Sequence, residues 1–246
     1  MSPSSELSSF RKELHALANS DIAQTTSSFF KTGLGEYGEK DRFLGIRVPK
    51  IRATAKKFQN ISLQNIEVLL NSSWHEERLA GAILLVEIYK KAPKQTQAKI
   101  FTFYLNHAAR MNNWDLVDVS APTIVGNFLL HRPRKTLEKL AASKHLWERR
   151  IAIVSTLAFI RENDFKDALR ISELLLQDTH DLMHKACGWM LREVYKRSPD
   201  TLEAFLKTHA KQMPRTMLRY AIERMPEKQR KSWLYVKALP KTKAPA

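Results

Sequence analysis

Apolar residues return at helical intervals from one end of this chain to the other, and no long stretch alternates with a period of two. Segments 75–91 (HEERLAGAILLVEIYKK), 147–162 (WERRIAIVSTLAFIRE) and 181–197 (DLMHKACGWMLREVYKR) place apolar side chains at i, i+3, i+4 and i+7, with charges at both ends. That spacing gives a helix one apolar stripe and gives a strand no buried face. The fold class read from it is all-α.

The helices also resemble one another. Laying ERLAGAILL on RRIAIVSTL sets Arg78 over Arg150, and laying RRIAIV on HKACGW sets Arg150 over Lys185, which are steps of 72 and 35 residues. Trp114 lies midway in the first step. A recurrence near 36 residues built of two helices is expected of an α-solenoid, in which each pair buries its face only against its neighbours. The reading is a single domain of HEAT-like two-helix repeats over 1–238, curved with a basic concave groove, followed by a flexible basic tail over 239–246. Unbroken helices are expected at 114–130 and 147–162. Of seven glycines, Gly33, Gly35, Gly38 and Gly45 fall within KTGLGEYGEKDRFLGIRVP. Glycine favours loop dihedrals, so 31–48 reads as one long irregular connection, ended by Pro49 at a first helical position and placed near a functional face.

Charge narrows the partners. With 41 Lys+Arg against 25 Asp+Glu the net charge is +16, which attracts polyanions, nucleic acid first among them and an anionic membrane or mere solubility as the alternatives. In the aligned repeats Arg78, Arg150 and Lys185 form a basic row suited to phosphates. The competing reading puts these cations at solvated helix starts or pairs them with Glu76, Glu77 and Glu148. The single cysteine, Cys187, excludes an internal disulfide and reads as a packed thiol. No secretory leader or 18-residue apolar run is present, which predicts a cytoplasmic protein. The histidines show no HExxH spacing, and P-loop, GxSxG and dinucleotide motifs are missing, so neither a metal nor a cofactor is expected.

One segment concentrates the chemistry. In NNWDLVDVSAP, residues 112–122, Trp114 and Asp118 are i, i+4 on a helix and share a face, whereas Asp115 points about 100° away from Trp114. Asp115 suits the positive end of the helix dipole. Asp118 lies deeper, where a carboxylate needs a hydrogen bond, a cation or a catalytic task. The residues alone leave a structural and a catalytic role open.

NNWDLVDVSAPTIVG, LWERRIAIVSTLAFI, CGWMLREVYKRSP and FFKTGLGEYGEKDRFLGIRVPKIR together resemble the AlkD-type DNA alkylation repair proteins, a group of HEAT-like-repeat DNA glycosylases. The resemblance covers roughly 20–235. It implies excision of N3-alkyladenine and N7-alkylguanine from duplex DNA without a base-swallowing pocket. By match to the family's motifs, Asp118 would be catalytic, Trp114, Arg150 and Trp189 would bind substrate, and Asp115 would be the acid without a chemical role. Arg78, Arg149, Lys185 and Arg192 are expected as secondary contacts to the DNA backbone. The partner implied is double-stranded DNA carrying alkylated bases, met by a monomer in a bacterial cytoplasm, associated with the nucleoid. Where the family can carry a tyrosine, this chain has Phe29, and a hydroxyl contact from that position is missing. The alternatives are a HEAT-like protein that binds DNA without catalysis and a scaffold for protein partners.

Overall fold

The computed structural model describes residues 5–236, so the expected tail at 239–246 lies outside the described residues. Among the described residues every regular element is helical, as the periodicity predicts. The chain divides into two compact units, Met1–Phe128 and Leu129–Ala246.

The first unit holds α1 (Ser5–His15), α2 (Ser20–Phe29), α3 (Val48–Ala55), α4 (Leu63–Leu70), α5 (His75–Lys91), α6 (Lys94–Asn106) and α7 (Trp114–Ala121). Helix α5 is its axis, with α3, α4, α6 and α7 packed on it. Its residues His75 to Val86 are all buried, as expected of a helix surrounded on every side. Four of these are ionisable: His75, Glu76, Glu77 and Arg78 open the helix, each no more than 3% exposed. This corrects the view of these positions as a solvated helix start. Buried charges must be paired or hydrogen-bonded, and these organise the first unit around themselves.

Glu76 receives the end of the long connection. Its carboxylate accepts N–H bonds from Leu44 (2.9 Å), Gly45 (2.8 Å) and Ile46 (3.2 Å). Gly45 has φ +75°, and a Cβ there would lie 2.0 Å from the Asn19 carbonyl oxygen, so only glycine lets this turn sit against the start of α2. Glu77 is held by Arg11 (2.8 Å) and His15 (2.7 Å) from α1. The irregular connection at 31–48 is thus an ordered structure fastened to α5, and Pro49 stands in the first turn of α3, as its φ preference predicts.

The helix expected at 114–130 is interrupted. A π turn, Pro122–Gly126, separates α7 from the short α8 (Asn127–Leu129). Proline has no N–H for the regular ladder, and a widened turn accommodates that loss.

The second unit holds α9 (Lys135–Ala141), α10 (Leu146–Ser155), α11 (Leu157–Arg161), α12 (Lys166–Leu174), α13 (Asp181–Arg197), α14 (Pro199–His209), α15 (Arg215–Ala221) and α16 (Glu227–Leu234). Here α13 is central, contacting α10, α11, α12, α14 and α15. Its approach to α15 is close because a Cβ at Gly188 would lie 2.5 Å from the Tyr220 Cβ and 2.6 Å from the Met217 carbonyl oxygen. The helix expected at 147–162 breaks at Thr156 into α10 and α11. Ser155 Oγ donates to the Ile151 carbonyl and Thr156 Oγ1 to that of Ile153, back-bonding that competes with the helix ladder and bends it.

The repeat is visible in the structure, with a different register. Ser72 Oγ accepts from Trp74 N, Ser143 Oγ from His145 N, and Asp178 Oδ1 from His180 N, each just before a helix begins. Six residues after each acceptor, a basic side chain bonds back to that residue's carbonyl: Arg78 to Ser72 (2.9 Å), Arg149 to Ser143 (3.1 Å) and His184 to Asp178 (2.6 Å). The steps are therefore 71 and 35, and Arg78 corresponds to Arg149 rather than to Arg150. Leu79 takes the place corresponding to Arg150 and Lys185, which corrects the three-cation row to two.

Candidate functional site

Asn113 and Asp115 set the start of α7. Asn113 Oδ1 accepts from Trp114 N at 2.8 Å, and Asp115 Oδ1 accepts from Leu116 N at 2.9 Å. The other oxygen of Asp115 meets His75 Nε2 at 2.8 Å, while His75 Nδ1 lies 3.6 Å from Asp41 Oδ2. Burial alone pushes the imidazole pKa down, but the charge and hydrogen bond of Asp115 and the contact with Asp41 outweigh it and raise the pKa to about 9. His75 is therefore a buried cation at neutral pH. Asp115 supports the helix start, as its position predicts, and does so mainly through a histidine 40 residues earlier.

Aromatic rings surround that pair. Phe30 lies 4.6 Å and Phe43 5.0 Å from the His75 ring, and Phe30 stacks on Trp114 with centroids 5.3 Å apart. Phe29 meets Trp114 edge-on at 6.0 Å and is 66% exposed. The connection at 31–48 thus supplies Asp41 and Phe43, α2 ends on Phe29, and Phe30 caps that helix. Asp118, one helical turn beyond Trp114, is half-buried. Its negative charge reaches the buried Tyr104 hydroxyl, whose pKa is raised first by burial and further by Asp118. Tyr104 is fixed in turn by Ser120 Oγ at 2.8 Å. The first unit accordingly brings Trp114, Asp115 and Asp118 together on a short helix clamped at its start.

Arg78 has a different task from the one expected. It is 3% exposed, its Nη2 lies 2.6 Å from Asp41 Oδ1, and its Nη1 holds the Ser72 carbonyl. A guanidinium so enclosed supports the loop and is withdrawn from the set of DNA contacts. Arg149 repeats the arrangement, with Asp178 at 2.6 Å and the carbonyls of Ser143 and Lys144. Its side chain is 17% exposed, so it is less enclosed than Arg78 and stays a candidate cation of the second unit.

The remaining expected residues lie in the second unit. Arg150, on α10, is 4% exposed and donates to the Leu182 carbonyl at 2.8 Å. Lys185, Trp189 and Arg192 share a face of α13 at i, i+4 and i+7. All three are partly exposed. Lys185 pairs with Asp181 at 2.7 Å, Trp189 Nε1 donates to Glu193 at 3.2 Å, and Arg192 is paired with Glu223. Cys187 faces the interior, where burial and then the charge of Asp178 push its thiol pKa far up, so it is a packed thiol as read from its neighbours.

His75, Asp41 and Phe43 were not singled out from the sequence. The signal available was the HEER opening of α5, in which four ionisable residues precede an unbroken apolar run. Among the described residues no group of three or more His, Cys, Asp or Glu is placed to hold a metal, and no helix is long and apolar enough to cross a membrane.

Known proteins share this arrangement of helices. A solved structure entitled "Predicted DNA alkylation repair enzyme from Enterococcus faecalis" superposes with a TM-score of 0.66 at 18% identity, over 85% of this chain and 97% of that one, a likeness of fold. No curated protein matches the chain. The sequence profile of the DNA alkylation repair enzymes matches residues 10–225, most of the length, and the chain belongs to that family.

Proposed function

We propose that the chain is a monofunctional DNA glycosylase acting on alkylated purines, N3-alkyladenine and N7-alkylguanine, in duplex DNA. The observation that carries this reading is Asp118, a half-buried carboxylate one turn from Trp114 on a helix pinned at its start by Asp115 and His75. Hydrolysis breaks the bond between the sugar C1′ and the base nitrogen. The bonding pair leaves with the base and neutralises its positive charge, water adds to C1′, and the proton of that water passes to solvent. Positive charge develops on the deoxyribose, and a fixed carboxylate beside it stabilises that charge and orients the water. The leaving base is already cationic, so neither a general acid nor a cofactor is needed.

Trp114 packs on the sugar-phosphate backbone of the lesion nucleotide in this reading, and Trp189 has the same kind of task. Lys185 and Arg192 are assigned phosphates, as exchangeable contacts whose surface partners are readily replaced by phosphate oxygens, with Arg149 as a less exposed candidate; Arg150, enclosed to the same degree as Arg78, holds the Leu182 carbonyl. The protein acts as a monomer in base excision repair. Asp118→Asn keeps the shape and removes the charge, and should slow release of 7-methylguanine and 3-methyladenine by about 100-fold or more. No base release from the parent, or full activity in the variant with DNA binding intact, refutes the catalytic assignment. The first of these outcomes leaves a protein that binds DNA without catalysis.

A further inference from the structure

Residues 226–246 lie beyond the stretch matched by the family profile, which ends at 225. They carry six cations, Lys228, Arg230, Lys231, Lys237, Lys241 and Lys243, against one acid, Glu227. This net +5 is nearly a third of the chain's +16 in 21 residues. The described part of the segment, α16, has no buried residue, unlike α14 and α15 before it.

Its orientation is nevertheless defined. Gln229 donates to Glu203 of α14, and Arg215 of α15 donates to the carbonyls of Leu234 (2.7 Å) and Val236 (3.2 Å), closing the helix C-terminus. Gln229 and Trp233, at i and i+4, therefore face the body of the second unit. Lys228, Lys231 and Tyr235, at i, i+3 and i+7, lie together on the opposite face and are exposed, Tyr235 at 81%. Lys231 pairs with Glu227 at 2.7 Å, an exposed i, i+4 contact of small worth that a phosphate can displace.

We propose that α16 is an auxiliary electrostatic contact for the phosphate backbone of duplex DNA. The inference rests on the reading that DNA is the substrate, and extends it to a surface beyond the part shared with the family. Three features favour DNA over an anionic membrane. Interfacial helices need an apolar stripe as well as cations, whereas α16 has only Trp233 and Leu234 as apolar residues, both at its end. Its basic face is exposed and solvated. Its anchor holds that face at a defined attitude, so several phosphates can be met at once.

The test uses the full chain with Lys228→Gln, Arg230→Gln and Lys231→Gln combined, and a control of equal charge change elsewhere, Lys94→Gln, Lys99→Gln and Lys139→Gln. All six positions are exposed. Binding to an undamaged duplex oligonucleotide is followed by fluorescence anisotropy from 50 to 200 mM salt, with thermal melts to confirm folding. Each phosphate that the variant no longer neutralises lowers the slope of log affinity against log salt by about 0.9, so the parent should lose up to about 40-fold more affinity than the α16 variant over that range if all three cations engage. The control should keep the parent slope. An unchanged slope in the α16 variant, or an equal reduction in the control, overturns the proposal. So does binding to vesicles containing phosphatidylserine that the α16 variant loses while its duplex slope is unchanged. A parent that binds DNA through α16 but releases no base refutes the glycosylase reading and leaves this one standing.

Discussion

The His75–Asp115 pair predicts an alkaline loss of stability with a defined origin. Three charged groups face the imidazole: Asp115 at 2.8 Å, Asp41 at 3.6 Å, and Arg78, whose charge opposes protonation. Despite burial, the balance raises the folded pKa to about 9. Against a value of about 6.5 in the unfolded chain, that difference corresponds to about 3 kcal/mol favouring the folded state. Because the folded pKa is the higher one, the whole contribution is present below about pH 6.5, and it is lost as the pH rises through about 9. Urea unfolding at pH 6.5, 7.5, 8.5 and 9.5 should therefore show the parent losing about 3 kcal/mol, with a steepest slope of about 1.4 kcal/mol per pH unit for the single proton released. His75→Gln removes the titrating group and leaves Asp115 without its cation, so the variant should start lower by about 3–5 kcal/mol and show no comparable decline. A parent stability flat over this range, or the same decline in the variant, refutes the assignment of a buried imidazolium.

Other consequences can be tested separately. Glu76→Gln replaces the carboxylate that accepts three N–H groups from residues 44–46, and should destabilise the protein by about 2 kcal/mol or more in urea unfolding, because charge-assisted bonds become neutral ones and one acceptor becomes a donor. Gly45→Ala places a Cβ against the Asn19 carbonyl at a positive φ, and a lowered melting temperature with faster proteolysis between α2 and α3 is expected; unchanged melting refutes the turn geometry. Trp114→Ala removes a ring stacked on Phe30, and should reduce base release more than it reduces affinity for undamaged duplex, which single-turnover kinetics and anisotropy distinguish.

The helical class was legible because burial imposes a 3.6-residue period on side chains, and segments such as 75–91 carry it plainly. The i, i+4 placement of Trp114 and Asp118 was legible for the same reason, since it depends only on helix geometry. The interruption at Pro122 was not foreseen within the helix expected at 114–130, because whether a proline breaks, kinks or widens a helix depends on what packs around it. The Arg78 alignment failed by one residue because the pattern of charges is nearly preserved under a shift of one. Only the carbonyl each side chain returns to shows that Arg78 and Arg149 are equivalent.

The sequence by itself determined the periodicity, the net charge and the spacing within α7, all of which are local or additive properties of the chain. Tertiary structure decided which charges are available. Arg78 and Arg150 are enclosed, the first beside Asp41, whereas Lys228 and Lys231 remain on the surface. It also decided that Asp115 meets a histidine 40 residues away and that Phe30 and Phe43 flank that histidine. The physical reason is that desolvation and charge pairing depend on distance through space, and a buried cation is specified by partners contributed from α2, the 31–48 connection, α5 and α7 together.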